Sequence, residues 1–444
     1  MRTILLALVG LLLLSPRQSH AMHLRVRYHI ALATAKSGYG SPAAADTVLM
    51  AEREFIAAVL RENPSLRALR YEVPAAEADV TTARLRPNPV ANVIGDVFPA
   101  PGQKWAPASG QYGVTVQLPL ERGHKRARRS ETAEAAVRAV SESIADAERL
   151  VVLTARQAWI DLLSARSSLS IADRTLASYD QLVDLNRSRL SAKQIAGAEL
   201  SRSIVARSQA AIQRDEADLA LRQARATLGA LLGRTVTVTV APRDTLAPTR
   251  RTVAPIDTLL AHAIATRADA RAARTGAAVA SANTRLQEAN GKSDITVGVD
   301  ASVQQFAKLY GVSGSIPFAA FSRNQGEREK AAVREAQAAQ RIRAVDAAIE
   351  ADLRSAYAEY ETRRASLARF ADPSRESIMA EAMSIKDAAE FAYRNGSTSL
   401  LELLDAERTY TDLYHAYIDT VARYQKSLAL VDAAAGLSPF DAQP

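Results

Sequence analysis

Apolar residues recur at Leu403, Ala406, Tyr410, Tyr414, Tyr417, Val421, Tyr424, Leu428 and Val431. From Tyr414 onward the steps alternate three and four, the spacing of a coiled-coil seam. The helix this predicts meets neither Pro nor Gly between Ser397 and Ala435. Ahead of it, Asn395-Gly396 supplies the positive φ that ends an incoming helix, and Ser397 or Thr398 is placed to cap the outgoing one. One arm of a long helical hairpin is expected. A second such arm lies roughly 200 residues earlier, where Gln194-Ile195-Ala196-Gly197-Ala198-Glu199-Leu200 leads into an Ala-rich helix ending at Leu231-Leu232-Gly233. Long helices precede both turns, over about 124–192 and about 325–393, the latter interrupted at Asp372-Pro373. A helix of roughly 70 residues rises about 100 Å, far more than a globular domain needs.

Elsewhere the period shortens to two. Tyr112, Val114, Val116 and Leu118 alternate with Gly113, Thr115 and Gln117 up to Pro119, predicting a strand over about 111–119. Val90 to Phe98 is a poorer strand, set off by a loop rich in Pro, Gly and Ala. Later, Ile295, Val297, Val299, Ala301 and Val303 alternate with small polar residues over about 294–304, and Tyr310, Val312, Gly314 and Ile316 over about 309–317. An amphipathic helix is expected over Leu49–Arg61, with Phe55, Val59 and Leu60 on one side, and a second through Leu66, Leu69, Val80 and Leu85. Asn63-Pro64-Ser65 separates them, and Arg86-Pro87-Asn88-Pro89 forbids continuation. Their counterpart is a single helix from about Ile256 to Asn290, stopped at Gly291.

The order helix, two strands, long helix pair thus occurs twice, over 47–233 and 256–436, joined by a linker over 234–255 and followed by a tail over 437–444. The helical hairpins span about 124–233 and about 325–436. Fold class is mainly α with a small β part. Strands of nine to eleven residues with one apolar face suit a membrane barrel, so Val114, Val116, Val297, Val299 and Val312 are expected to face lipid. The competing reading is a soluble hairpin packed on a helix. If the strands span a membrane, four of them cannot close a useful barrel, so several chains must share one.

Composition narrows the class. Met1-Arg2, the apolar run Thr3–Leu14 and the small-x-small site Ser19-His20-Ala21 read as a secretory signal over residues 1–21, with Ala43-Ala44-Ala45 as a second cleavage possibility. The 444 residues contain no Cys, which removes disulfides, thiolate metal sites and an N-terminal lipid-modified Cys. The net charge of +8 is spread along helices among Asp and Glu, which describes a solvated face and not a nucleic-acid patch. The histidines His20, His23, His29, His124, His262 and His415 show no i, i+4 pairing and no His-Glu-x-x-His, so no metal site is assigned. No Gly-x-Ser-x-Gly or phosphate loop occurs, and neither an enzyme nor a bound cofactor is expected.

Asn63-Pro64-Ser65-Leu66, Arg86-Pro87-Asn88-Pro89, Gln117-Leu118-Pro119-Leu120-Glu121, and Tyr393-Arg394-Asn395-Gly396-Ser397 with Leu400-Leu401-Glu402-Leu403-Leu404-Asp405-Ala406 carry a resemblance to the TolC-like outer-membrane factor family. Two stretches resemble its CzcC-type heavy-metal branch: Leu120-Glu121-Arg122-Gly123-His124-Lys125-Arg126, and Ser315-Ile316-Pro317-Phe318 through Phe321-Ser322-Arg323-Asn324-Gln325-Gly326. The resemblance implies a homotrimer in the outer membrane of a Gram-negative bacterium. Its twelve-stranded barrel, four strands from each chain, would continue as a periplasmic α-helical barrel. A periplasmic adaptor and an inner-membrane pump of the resistance-nodulation-division type would complete an efflux machine in which this chain is a passive duct, with heavy-metal cations as cargo. It also implies that Ala196, Gly197, Ala198, Asn395, Gly396 and Ser397, at the hairpin tips, meet the adaptor; Gly197 and Gly396 are in any case read as serving turn geometry. Glu402 and Asp405 match an acidic ring at the periplasmic mouth, with Glu402 standing where the family carries Asp. Converging carboxylates favour cations in a pore, whereas the simpler role for the pair is to enrich the first turn of a helix with negative charge. A multidrug or type I secretion conduit and a periplasmic coiled-coil scaffold are the alternatives.

Overall fold

In the computed structural model the described residues are 46–95, 111–234, 238–249, 251–304, 307–370 and 378–438. The expected signal over 1–21 and its alternative cleavage site, residues 96–98 of the first expected strand, the break at Asp372-Pro373 and residues 439–444 of the tail lie outside them.

The first described element is a strand that the apolar pattern hides. β1 (Asp46–Met50) takes Leu49 and Met50 out of the expected first helix, and α1 (Glu52–Glu62) starts after it. Phe55 and Val59 of α1 are buried, Phe55 stacking on Trp159 with ring centroids 5.2 Å apart. Asn63 then ends α1 and caps α2 (Pro64–Arg70), its Oδ1 accepting from the Leu66 amide at 3.1 Å. Pro64 suits the first helical turn because its missing N–H has no helical partner there. The expected single helix from Leu66 to Leu85 is broken at Tyr71, giving α2 and α3 (Glu72–Arg84). Only Leu66 of its four apolar markers is buried; Leu69 and Leu85 are exposed, and α3, which packs against the long helix that follows, has no buried residue.

β2 (Val90–Gly95) and β3 (Gln111–Leu120) follow, then α4 (Lys125–Ser191) and α5 (Gly197–Leu231) as the first hairpin. At 67 residues α4 is the longest element, about 100 Å at 1.5 Å per residue. The segment expected to be a plain linker is not one. Its β4 (Val238–Pro242) pairs in parallel with β1, Asp46 opposite Val238 and Met50 opposite Pro242. Beyond β4, the Thr249 and Ala247 carbonyls accept from Tyr424 Oη at 3.2 Å and Gln425 Nε2 at 2.6 Å. The segment is fastened because its backbone groups find partners on a helix far along the chain.

The expected helix over 256–290 is also two helices, α6 (Ile256–Thr266) and α7 (Ala268–Asn290). Arg267 breaks it with extended ψ 138° and is itself buried, its guanidinium donating to Asp269 Oδ2 at 2.7 Å and to the Ala434 carbonyl at 3.0 Å. β5 (Ile295–Gln304), β6 (Ala307–Ser315) and α8 (Gln325–Ala368) come next, β6 lying two residues earlier than its expected span. The second hairpin closes the chain with α9 (Ile378–Arg394) and α10 (Leu400–Ala435).

β2, β3, β5 and β6 form one antiparallel sheet in that order. The long helices are cored in three places. Phe55, Val59, Trp159, Leu162 and Leu228 join α1, α4 and α5. Leu259, Ile349, Leu353, Tyr360, Val421, Tyr424 and Leu428 join α6, α8 and α10. Near the turns, Tyr179, Leu182, Tyr393, Leu400 and Leu403 bind the two hairpins together. The seam read from the sequence is this packing face, with Leu403, Ala406, Val421, Tyr424, Leu428 and Val431 all buried.

Candidate functional site

Three surfaces bear on function: the face of the sheet, the hairpin turns, and the helix start that follows the second turn. In the sheet, directly opposed residues share a face. Val93 lies opposite Val114, Val116 opposite Val299, Val299 opposite Val312, and Leu118 opposite Val297. The five valines expected to face lipid therefore lie on one side of one sheet. Tyr112, Ala301, Val303 and Tyr310 share that side through the same register. Thr115, Asp300, Ser302, Gly311 and Ser313 occupy the other.

Exposure runs opposite to that of a water-soluble sheet. Along β3 the apolar residues are exposed and the polar ones between them half-buried. Val299 is 59% exposed and Val312 88%. Among the described residues no helix covers the apolar face. Among the described residues both edge strands, β2 and β6, pair on one side only. No helix among the described residues is long and apolar enough to cross a membrane.

The two turns lie side by side. Arg189, in the last turn of α4, donates to the carbonyls of Tyr393 at 3.1 Å and Arg394 at 2.8 Å, and its guanidinium stacks over the Tyr393 ring. At the second turn Gly396 has φ +74° as the sequence requires, and the Ser397 amide closes on the Ala392 carbonyl at 2.9 Å. The cap of α10 is neither Ser397 nor Thr398 but Ser399, whose hydroxyl accepts from the Glu402 amide at 3.3 Å. At the first turn the left-handed residue is Lys193, φ 57°, whereas Gly197 is the first residue of α5. Gly197 thus serves no special backbone geometry, and a Cβ there would meet nothing within 4 Å. Ala196, Gly197, Ala198, Asn395, Gly396 and Ser397 are all exposed.

Glu402 and Asp405 sit in the first two turns of α10, both exposed and neither in an ion pair among the described residues. Asp405 lines a groove with Gln209, Gln213, Glu216, Arg408 and Asp412. Asp405 thus has Glu216 and Asp412 beside it in an open groove, which Glu402 does not line. No group of three or more His, Cys, Asp or Glu able to hold a metal occurs among the described residues. His415 is exposed on α10.

One cluster near the turns carries no sequence signal. Glu407, one turn beyond Leu403, is buried at 3% exposure, accepts from Ser178 Oγ at 2.7 Å and lies 3.8 Å from Lys386 Nζ. Burial opposes the charge on Lys386, but Glu407, Asp387 and Glu390 outweigh it and hold its pKa above the usual value. Burial, reinforced by Glu407, pushes the neighbouring Tyr179 phenol up to about 12. Tyr393 Oη donates to the fully buried Asn186 Oδ1 at 2.6 Å, and Thr175 and Thr411 hydroxyls meet across the same helices. These polar contacts tie α4 to α9 and α10. Tyr393→Phe leaves Asn186 without its donor and is expected to cost about 1–3 kcal/mol. The check is hydrogen exchange: residues 378–394 exchange faster than in the parent, while 256–290 are unchanged.

Residues 55–234 match the family model described as outer membrane efflux protein. No curated protein sequence matches the chain. Among solved structures, the fold is similar to the Campylobacter jejuni outer membrane channel CmeC, at 14% identity and TM-score 0.72, covering 87% of this chain and 85% of that one. The open-state Neisseria gonorrhoeae outer membrane channel MtrE aligns at 19% identity and TM-score 0.70, over 87% of this chain and 89% of that one. CusC, described for its transmembrane channel formation, aligns at 18% identity and TM-score 0.71, over 87% and 92%. The fold is that of the outer-membrane efflux channels.

Proposed function

We propose that this protein is the outer-membrane conduit of a tripartite efflux system and that its cargo is heavy-metal cations. One observation carries the membrane part. A sheet with a continuous, uncovered apolar face and two unpaired edges is unstable in water and complete in lipid only when its edges are closed. Closure by further copies of the chain gives a homotrimer with a twelve-stranded barrel, continued into the periplasm by the long helices. The spans 47–233 and 256–436 are two copies of one structural unit, so each chain supplies two strand pairs and two hairpins. The barrel's bare valines face lipid and the Asp300 side faces the lumen. The exposed turns at 196–198 and 395–397 meet a periplasmic adaptor, behind which stands an inner-membrane pump of the resistance-nodulation-division type. The chain does no chemistry of its own.

The metal assignment rests on the rim stretches Leu120–Arg126 and Ser315–Gly326 and on the unpaired acids of α10. Brought to an axis by trimer symmetry, Glu402 and Asp405 form acidic rings that hold cations. Glu402→Gln with Asp405→Asn is then expected to relieve block by multivalent cations in bilayer recordings. Block unchanged from the parent places both residues outside the lumen.

Fractionation and growth test the whole reading. The conduit fractionates with outer membrane and runs as a trimer in detergent, whereas a periplasmic scaffold is released in soluble form. A strain lacking the chain is expected to lose tolerance to some of zinc, cobalt, cadmium, copper and silver while keeping tolerance to drugs and detergents. Sensitivity confined to drugs keeps the duct and discards the metal cargo.

A further inference from the structure

At the end of the sheet nearest the helices, a short loop presents two phenylalanines to solvent. Phe318 is 95% exposed and Phe321 96%. Apolar side chains so bare usually sit on slack loops, but this one is braced. Asn324, in the left-handed region at φ 61°, donates through Nδ2 to the Gln287 carbonyl at 2.9 Å and to Gln287 Oε1 at 3.0 Å, fastening the loop to α7. Gln325 accepts from the Arg323 amide at 2.7 Å and donates to the Phe321 carbonyl at 3.2 Å. Arg323 Nε donates to the Ala319 carbonyl at 3.1 Å. The loop is held in a shape that keeps both rings outward.

Beside the rings lies a positive collar. A Cβ on Gly291 would stand 2.9 Å from the Arg323 carbonyl, and one on Gly123 would stand 2.7 Å from Lys292 Cδ. Arg122, Lys292 and Arg323 therefore occupy adjoining segments. The nearest acids are already engaged, Asp294 by Lys125 at 2.8 Å and Glu121 by Arg129. Among the described residues Arg122, Arg126, Lys292, Arg323 and Arg328 are exposed and their side chains form no ion pair, although the Arg122 amide donates to Asp294 at 3.0 Å. Glu327 is paired with Lys330, which leaves Glu288 and Glu329 as the unpaired acids of the rim, outnumbered by the cations.

We propose that this collar and the Phe318–Phe321 loop form a docking surface for anionic phospholipid headgroups of the leaflet on the helical side of the sheet. The inference rests on the membrane reading above and adds a lipid class and residues to it. Two features select the occupant. The loop continues the bare apolar side of the sheet past Ile316, so the rings sit where hydrocarbon gives way to headgroups. The cations then lie at phosphate level, where basic side chains attract anionic lipid.

The test places a tryptophan on the loop. Full-length Phe321→Trp and, as a depth control, Val299→Trp are reconstituted into vesicles of phosphatidylcholine and into vesicles containing phosphatidylglycerol, with bromine on the acyl chains of one lipid at a time. Emission is read as the difference from the parent, which carries Trp105 and Trp159. The indole of Phe321→Trp is expected to be quenched about twofold more strongly by brominated phosphatidylglycerol than by brominated phosphatidylcholine at equal mole fraction. Adding Arg122→Gln, Lys292→Gln and Arg323→Gln is expected to erase that preference, while the indole of Val299→Trp stays quenched. Quenching in Val299→Trp with none in Phe321→Trp overturns this proposal alone, as does quenching without lipid preference or a preference that survives the triple substitution. Quenching in neither variant overturns the membrane reading itself. Phe318→Trp replaces Phe321→Trp if the latter does not fold.

Discussion

Val299→Arg is expected to remove most assembled trimer from the membrane, and Thr296→Arg to leave it nearly intact. Val299 is the fifth residue of the ten in β5 and pairs with Val116 on one side and Val312 on the other. In the proposed barrel its place at mid-strand puts it near the bilayer midplane, where an arginine on the lipid side costs about 2–4 kcal/mol. That cost is incurred three times in a homotrimer, because every copy carries the change. Thr296 lies three residues away on the opposite face, across from Pro119 and Ser315. On the proposed assignment of faces a guanidinium there reaches the lumen and stays hydrated. The measurement is the fraction of chain running as heat-modifiable trimer after mild extraction. Equal loss from both variants overturns the assignment of faces, while loss from Thr296→Arg alone reverses it.

This contrast is legible in the amino-acid sequence because the dyad pattern of β3, β5 and β6 is local: each strand states its own two faces. The packing face of α10 is legible for the same reason, since Leu403 to Val431 repeat within one helix. What stays hidden is set by partners far along the chain. β1 needs β4, and Asp46 meets Val238 only after a hairpin has folded between them. Arg267 ends α6 without Pro or Gly, because its guanidinium is drawn to Asp269 and to the carbonyl at the end of α10. The matching break at Asn63-Pro64 does carry a proline, and the pattern shows it. Glu407 reads as one more carboxylate on a charged helix, and only the approach of Ser178 and Lys386 makes it a buried one. At the candidate site, Glu402 and Asp405 are placed by resemblance, and a single chain shows them as exposed acids. Lys193, not Gly197, takes the left-handed turn, a choice that local propensity disfavours.

Asp432→Asn is expected to be the most destabilising polar substitution in the helical part, at about 3–5 kcal/mol, because it strips the charge from a buried ion cluster and leaves Arg251 without a carboxylate and Arg156 with Glu52 alone. The Asp432 side chain is 5% exposed. Its oxygens accept from Arg156 Nη1 at 2.8 Å and from both terminal nitrogens of Arg251 at 2.7 Å. The hydrogen bonds to Asp432 hold the Arg251 pKa above the usual value against the opposing effect of burial. Arg156 also donates to Glu52 at 3.0 Å, so one carboxylate joins α1, α4, α10 and the segment that carries β4. Arg251→Met is expected to cost less, because Arg156 still neutralises Asp432. The order of the two thermal midpoints, read by loss of helical signal, is therefore the check, with Asp432→Asn the lower. Hydrogen exchange localises the effect: residues 238–249 lose protection in Asp432→Asn before the turns at 393–399 do. Equal midpoints for the two variants, or a shift of less than about 1 kcal/mol in Asp432→Asn, place the cluster with ordinary hydrated surface pairs.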